Sequence, residues 1–266
     1  MPKRRDGLVA LLLISLLVIT ACAPKPPEGA IERVVKGTAA VVDLTYPYEA
    51  ATNFWPGGTP FHLENLVSYD QGYYLNKFTT GEHTGTHIDA PAHFIEGAPM
   101  VDAIPLRQLF GPAVVVNVVE KVEANPDYLL TKDDLLAWEK ENGKIPDGAI
   151  VLMYTGWGEK FWSDPDRYRN MDASGVMHFP GFSEEAAKFL TEERNINGIG
   201  IDTLSLDYGP SPDFIVHVIM LKAGKWQLEN LANLGKLPAK GAYIIAAPML
   251  IKDGSGAPTR VLAILP

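Results

Sequence analysis

Eleven residues, His83-Thr84-Gly85-Thr86-His87-Ile88-Asp89-Ala90-Pro91-Ala92-His93, restrict the fold more than any other stretch of the chain. A helix is a poor host for them, because Gly85, the β-branched Thr84, Thr86 and Ile88, and Pro91 all oppose it. In an extended chain side chains alternate with a period of two. His83, His87, Asp89 and His93 stand at odd positions and would share one side, while Gly85 adds no side chain to crowd an ion. Imidazole and carboxylate converging on one spot suit Zn²⁺ or a similar divalent metal. Three ligands, His83, His87 and Asp89, would leave open positions for water, as catalytic metal sites do. His93, on the same nominal face, is a fourth ligand or a base beside the metal. A histidine with an ordinary pKa of about 6.5 can shuttle a proton to a leaving group, so these pieces fit a hydrolase.

Competing nucleophile schemes are weak. No G-x-S-x-G elbow is present, and Gly254-Ser255-Gly256 lacks the spacing and sits in a turn-like run. No phosphate-binding loop or dinucleotide fingerprint gives a nucleotide cofactor a home. With 21% charged residues and a formal net charge of −9, the chain has no long basic run beyond its N-terminus. That balance argues against nucleic acid as a partner of the folded part.

The single cysteine belongs to the N-terminus. Lys3, Arg4 and Arg5 precede an apolar run over residues 8–19, and Ile19-Thr20-Ala21 lead to Cys22. The run is short for a membrane span and right for a signal peptide. It resembles a bacterial lipoprotein signal over residues 1–21, with Cys22 lipidated, a proline-rich tether over 22–29 and a folded domain over 30–266. The protein is thus expected to be exported and anchored to the bacterial membrane through Cys22, facing the periplasm or the exterior.

Along the domain, residues 38–45, 73–78, 113–119, 150–154, 198–201, 243–247 and 261–265 read as strands. The clearest helix spans 131–142, with Thr131 as N-cap, Asp133 and Asp134 at the positive end of the dipole, and Gly143 to end it. Ser183 can cap another over 184–190. Residues 53–61 form a loop dense in Pro and Gly, whose Phe54 and Trp55 either cover a core edge or offer a flat apolar surface to a ligand. Residues 159–181, containing His178, form a long irregular section of the kind that is usually functional or mobile. By themselves, His217 on an apolar segment reads as a core histidine and Glu229 as a solvated or capping acid. Strands and helices alternate without an internal repeat or linker, which predicts one α/β domain with a mixed sheet.

The stretch His83–His93 matches H-x-G-T-H-x-D-x-P-x-H, and on it the chain resembles the cyclase / kynurenine formamidase family of metal-dependent hydrolases, which includes isatin hydrolases. The resemblance extends through Asp43-Leu44-Thr45, Trp55-Pro56-Gly57-Gly58-Thr59-Pro60-Phe61, Gly200 to Asp207, His217, Glu229-Asn230-Leu231 and Gly256-Ala257-Pro258-Thr259-Arg260. It implies a swivelling β/β/α fold and a homo-oligomer, a dimer or larger. It also implies one or two ions per chain, Zn or Mn, one held by His83, His87 and Asp89 and the other by His217 and Glu229. Asp89 and Glu229 would bridge, and His93 matches the family's catalytic acid/base. Trp55 matches an aromatic placed against the substrate ring, with Phe54 and His178 as further candidate substrate contacts. Gly58 departs from the acid that many members carry in that loop. The first expectation for activity is hydrolysis of an aryl-linked amide C–N bond, as in N-formyl-L-kynurenine to L-kynurenine and formate. Opening of an isatin-like cyclic amide comes second, and lactone or cyclase-type chemistry third. An exported enzyme would meet external aromatic amides or lactones rather than cytoplasmic kynurenine intermediates. A lipoprotein that only binds metal or a small ligand is the non-enzymatic alternative, against which His93 argues, since a pure binding site needs no proton shuttle.

Overall fold

The structure, a computed structural model, describes residues 29–266. The expected signal peptide, Cys22 and nearly all of the expected tether lie outside the described residues.

In chain order the strands are β1 (Val41–Asp43), β2 (His62–Val67), β3 (Leu75–Thr79), β4 (His87–Asp89), β5 (Phe110–Asn117) and β6 (Leu129–Leu130). They continue with β7 (Ile150–Tyr154), β8 (Gly181–Phe182), β9 (Gly198–Ile201), β10 (Trp226–Glu229), β11 (Lys240–Pro248) and β12 (Gly256–Ile264). Eight of them form one sheet in the order β1-β12-β11-β5-β7-β9-β10-β4. Pairing is parallel from β5 through β7 and β9 to β10 and antiparallel elsewhere, so the sheet is mixed, as expected. β4 also pairs with β12, Asp89 opposite Gly256 and His87 opposite Pro258, which closes the sheet into a barrel. β1 lies beside the far half of β12, with Val41 opposite Ile264.

Alternation along the strands sorts the core into two layers. Val115, Ile150, Leu152, Leu228, Ile88 and Ile244 face the inside of the barrel. Val114, Val116, Val151, Met153, Ile199 and Ile201 face outward, under helices that supply Leu135, Trp138, Phe189, Val216 and Met220. Both layers are apolar because the sheet is covered on both faces, which is why β5, β7 and β9 read as continuous hydrophobic runs.

The helix Lys132–Asn142 starts where its capping residues place it: Thr131 Oγ accepts from Asp134 N–H, and the Asp134 carboxylate accepts from Thr131 N–H in return. Ser183 Oγ accepts from Ala186 N–H and caps Glu184–Lys188 without a return bond, after which the chain widens into a π-helical turn, Phe189–Glu193. The run over 113–119 does not stay extended. Its strand ends at Asn117, whose side chain accepts from Val119 N–H and turns the chain into a helix, Val119–Ala124. The section over 159–181 is less irregular than its sequence suggests, since Trp157–Phe161 and Pro165–Arg169 are helical. The apolar segment around His217 is a helix, Ile215–Lys222.

Candidate metal centre

β4 supplies two candidate ligands from adjacent positions of one face. His87 and Asp89 point outward, while Ile88 between them is buried inside the barrel. β10 lies antiparallel beside it, with Glu229 directly opposite His87 and Gln227 opposite Asp89, so Glu229 joins the same face. The helix Ile215–Lys222 packs over that face and brings down His217. Asp207 makes this possible. Its carboxylate accepts from Val216 N–H at 2.9 Å and His217 N–H at 3.1 Å, capping the helix, and its Oδ2 accepts from His217 Nδ1 at 2.7 Å.

Regular alternation does not carry the rest of the motif. Gly85 has φ +63°, so the chain turns before β4, and His93 closes a 3₁₀ turn, Pro91–His93. The side chains converge through these turns and not along one strand. Gly85 is also required for a different reason than room for an ion. A Cβ there would come 2.8 Å from Thr52 Cγ2 and 2.9 Å from Tyr48 Cζ, in a backbone conformation that side chains disfavour.

The result is two sets of donors, His83, His87 and Asp89, and Asp89, His217 and Glu229, each with its ligand atoms within 4.8 Å of one another. Asp89 belongs to both. Its Oδ1 lies 2.6 Å from His83 Nδ1 and 3.2 Å from His87 Nε2, and its Oδ2 lies 3.5 Å from His217 Nε2. Glu229 reaches His87 Nε2 at 3.3 Å and His217 Nε2 at 3.2 Å. His87 donates Nδ1–H to the Gly85 carbonyl at 2.8 Å, as His217 donates to Asp207. Each of these rings therefore turns a lone pair toward carboxylate oxygens, acceptor against acceptor, which calls for a cation between them. His87 Nε2, Asp89 Oδ2 and both amide atoms of the fully buried Gln227 have no hydrogen-bond partner.

The electrostatics agree. Burial pushes the His87 imidazole down, but Asp89 and Glu229 outweigh it and hold it up at about 10. Burial likewise opposes charge on His217, yet Asp207, Asp89 and Glu229 raise it well above the usual range. Burial would raise Asp89, and the three histidines hold it far down instead. The centre demands positive charge, and the donor set of imidazoles and carboxylates fits a divalent metal such as Zn²⁺ or Mn²⁺.

His93 behaves differently. Its ring stacks on His83 with centroids 3.8 Å apart, and among the described residues nothing hydrogen-bonds either ring nitrogen. Burial, helped by His83 and His217, outweighs Asp89 and pushes it down to about 4, so it is neutral at pH 7.

Beside His93 stands an aromatic wall. Phe94 tilts over His217 at 4.8 Å and meets Phe214 at 5.7 Å, and Phe214 meets Trp55 edge-on at 5.5 Å. Phe214 holds φ +52° just before the helix, a strained setting for a bulky residue. The Phe54 ring lies instead under the Arg169 guanidinium, 5.2 Å away. His178 is placed elsewhere, its Nδ1 2.7 Å from Asp127 and its Nε2 3.6 Å from Asp172, with no hydrogen bond to the centre. Sequence reasoning missed Phe94, Phe214 and the role of Asp207. The one available signal was an acid ten residues ahead of His217.

The family model described as "Putative cyclase" matches residues 42–208. An isatin hydrolase from Roseibium aggregatum is 39% identical over 257 residues, 90% of this chain and 97% of the relative. A kynurenine formamidase from Bacillus cereus is 31% identical over 229 residues, 85% of this chain and 97% of the relative. Among solved structures, isatin hydrolase A from Ralstonia solanacearum superposes with a TM-score of 0.85 at 37% identity, covering 92% of this chain and 100% of that one. The fold, the donor set and these likenesses agree, and the chain belongs to the cyclase family of hydrolases.

Proposed function

We propose that this chain is a metal-dependent amidohydrolase that opens the cyclic amide of an isatin-like aromatic substrate. The observation that carries the reading is the likeness to an isatin hydrolase, 39% identical over 90% of the chain. The kynurenine formamidase likeness is weaker, at 31%, which reverses the order of the two activities expected from the sequence. N-formylkynurenine becomes the second substrate class.

The residues divide the work. His83, His87, Asp89, His217 and Glu229 would hold one or two ions. A divalent metal, when bound, supplies a Lewis acid that polarises a carbonyl and acidifies water. Trp55, Phe94 and Phe214 offer flat apolar surface to an aromatic ring. Neutral His93 accepts the proton released as water attacks the amide carbon. The same ring nitrogen then gives that proton to the amide nitrogen as the C–N bond breaks, and the new carboxylic acid loses its own proton to solvent. The lipid anchor at Cys22 would place this reaction outside the cytoplasm.

Purified protein loaded with Mn²⁺ or Zn²⁺ is assayed on isatin and on N-formyl-L-kynurenine, with and without chelator. Chelator-sensitive turnover with the higher kcat/KM on isatin supports the reading. A higher kcat/KM on N-formyl-L-kynurenine overturns the substrate assignment.

A further inference from the structure

Gly254-Ser255-Gly256, which fails as a nucleophile elbow, lies against His83. Ser255 Oγ is 2.9 Å from His83 Nε2 and 2.6 Å from Glu82 Oε2, and the same Glu82 oxygen accepts Ser255 N–H at 3.1 Å. A carboxylate only accepts, so the serine proton points to Glu82 and Ser255 Oγ accepts from His83 Nε2–H. That choice of tautomer leaves the lone pair on His83 Nδ1, the atom 2.6 Å from Asp89 Oδ1.

The backbone is built around this contact. A Cβ on Gly256 would come 2.9 Å from His83 Nδ1 and 2.7 Å from the Ile88 carbonyl, so the imidazole lies directly against a bare backbone. Ala90 N–H donates to the Ser255 carbonyl at 2.9 Å and Val101 N–H to that of Gly254 at 2.8 Å, tying the turn to the segment that leaves β4. His83 needs such support more than its neighbours do. Its side chain is 25% exposed, against 1% for His87 and 4% for His217, and it sits in a turn instead of a strand or helix. Burial adds to the Nδ1 hydrogen bonds that hold the other two rings, whereas the more exposed His83 depends more on its hydrogen bonding.

We propose that Glu82 and Ser255 are positioning residues, a carboxylate–hydroxyl–imidazole relay that presents His83 Nδ1 to the metal. The proposal rests on reading this cluster as a metal centre. It gives the Gly-Ser-Gly turn a function: serine orients the ligand, and glycine makes room for it.

The test titrates metal-free full-length protein with Mn²⁺ and Zn²⁺ alone by calorimetry. Tight binding by the wild type establishes the centre, and uptake of neither ion would refute the metal reading itself. Ser255→Ala is expected to raise Kd by about 10–100-fold, the usual cost of losing an outer partner of a ligating histidine. The unfolding midpoint of the metal-free protein should meanwhile stay at the wild-type value. Ser255→Thr, which keeps the hydroxyl, should restore wild-type affinity. Glu82→Ala, which removes the acceptor of both the Ser255 hydroxyl and its N–H, should also weaken binding, and it decides the matter if Ser255→Ala does not fold. Wild-type affinity in a folded Ser255→Ala protein overturns the relay, as does a Ser255→Thr protein that binds as weakly as Ser255→Ala.

Discussion

Glu229 ends β10 directly across from His87 in β4, and its two oxygens divide between His87 Nε2 at 3.3 Å and His217 Nε2 at 3.2 Å. One carboxylate thus joins a histidine on the barrel wall to one on the covering helix. Glu229→Gln keeps the shape and removes the charge. It is expected to weaken metal binding tenfold or more, about 1.4 kcal/mol, read as metal retained per chain after dialysis. Retention equal to wild type would show that Glu229 is not a ligand.

His93 stacks on His83 without being tied to the candidate ligand cluster by a hydrogen bond. His93→Ala should lower kcat by roughly 10²–10⁴-fold, the usual worth of a general acid–base group, while metal content stays unchanged. Loss of metal together with activity would make His93 a ligand and remove its proton-transfer role.

Phe214 links Trp55 to Phe94 in the aromatic wall. An aromatic pair contributes about 0.5–1.5 kcal/mol beyond its buried area. Phe214→Leu should therefore raise KM for an aromatic amide by roughly two- to tenfold, with a smaller effect on kcat. Steady-state kinetics giving an unchanged KM would place the substrate ring elsewhere.

Asp202 is fully buried at the end of β9, and burial, only partly offset by hydrogen bonds from Thr155, pushes its carboxyl from the usual 3.8 up to about 6. The folded state therefore favours the protonated form. Its contribution to stability is fully present below pH 4, is lost as pH rises to about 6, and is flat beyond. The total is on the order of 3 kcal/mol. The depressed His93 changes stability in the opposite sense over the same range in both proteins, so the decline should appear in urea unfolding of metal-free protein from pH 4 to 7 as the difference between wild type and Asp202→Asn. Parallel pH profiles would contradict it.

Lipidation at Cys22 is proposed from sequence alone. Cys22→Ser should move the protein from the detergent phase to the aqueous phase in Triton X-114 partitioning of expressing cells, and labelled palmitate should no longer be incorporated. A variant that stays in the detergent phase would require another anchor.

Much of this centre was legible in the chain. Gly, Pro and β-branched residues oppose an α-helix over 83–93, and His87 and Asp89, two apart, share a face of any strand they form. Helix caps at Thr131 and Ser183 were readable for the same reason: capping bonds join residues three apart in sequence. Local rules reached their limit at Gly85, where a left-handed backbone turns the chain and period-two alternation stops. Nor do they reach Asp127, the partner of His178, which lies 51 residues away in the chain.

The sequence by itself determined which chemistry is available, because donor atoms are a property of residue type and short spacing fixes which of them share a strand face. Only the tertiary structure decided how those donors meet. Closure of β4 between β10 and β12 sets Glu229 opposite His87 and lays Gly256 beneath His83. The helix capped by Asp207 lowers His217 onto the same face. Such contacts depend on strand register and helix packing between segments distant in the chain, and no local periodicity encodes them.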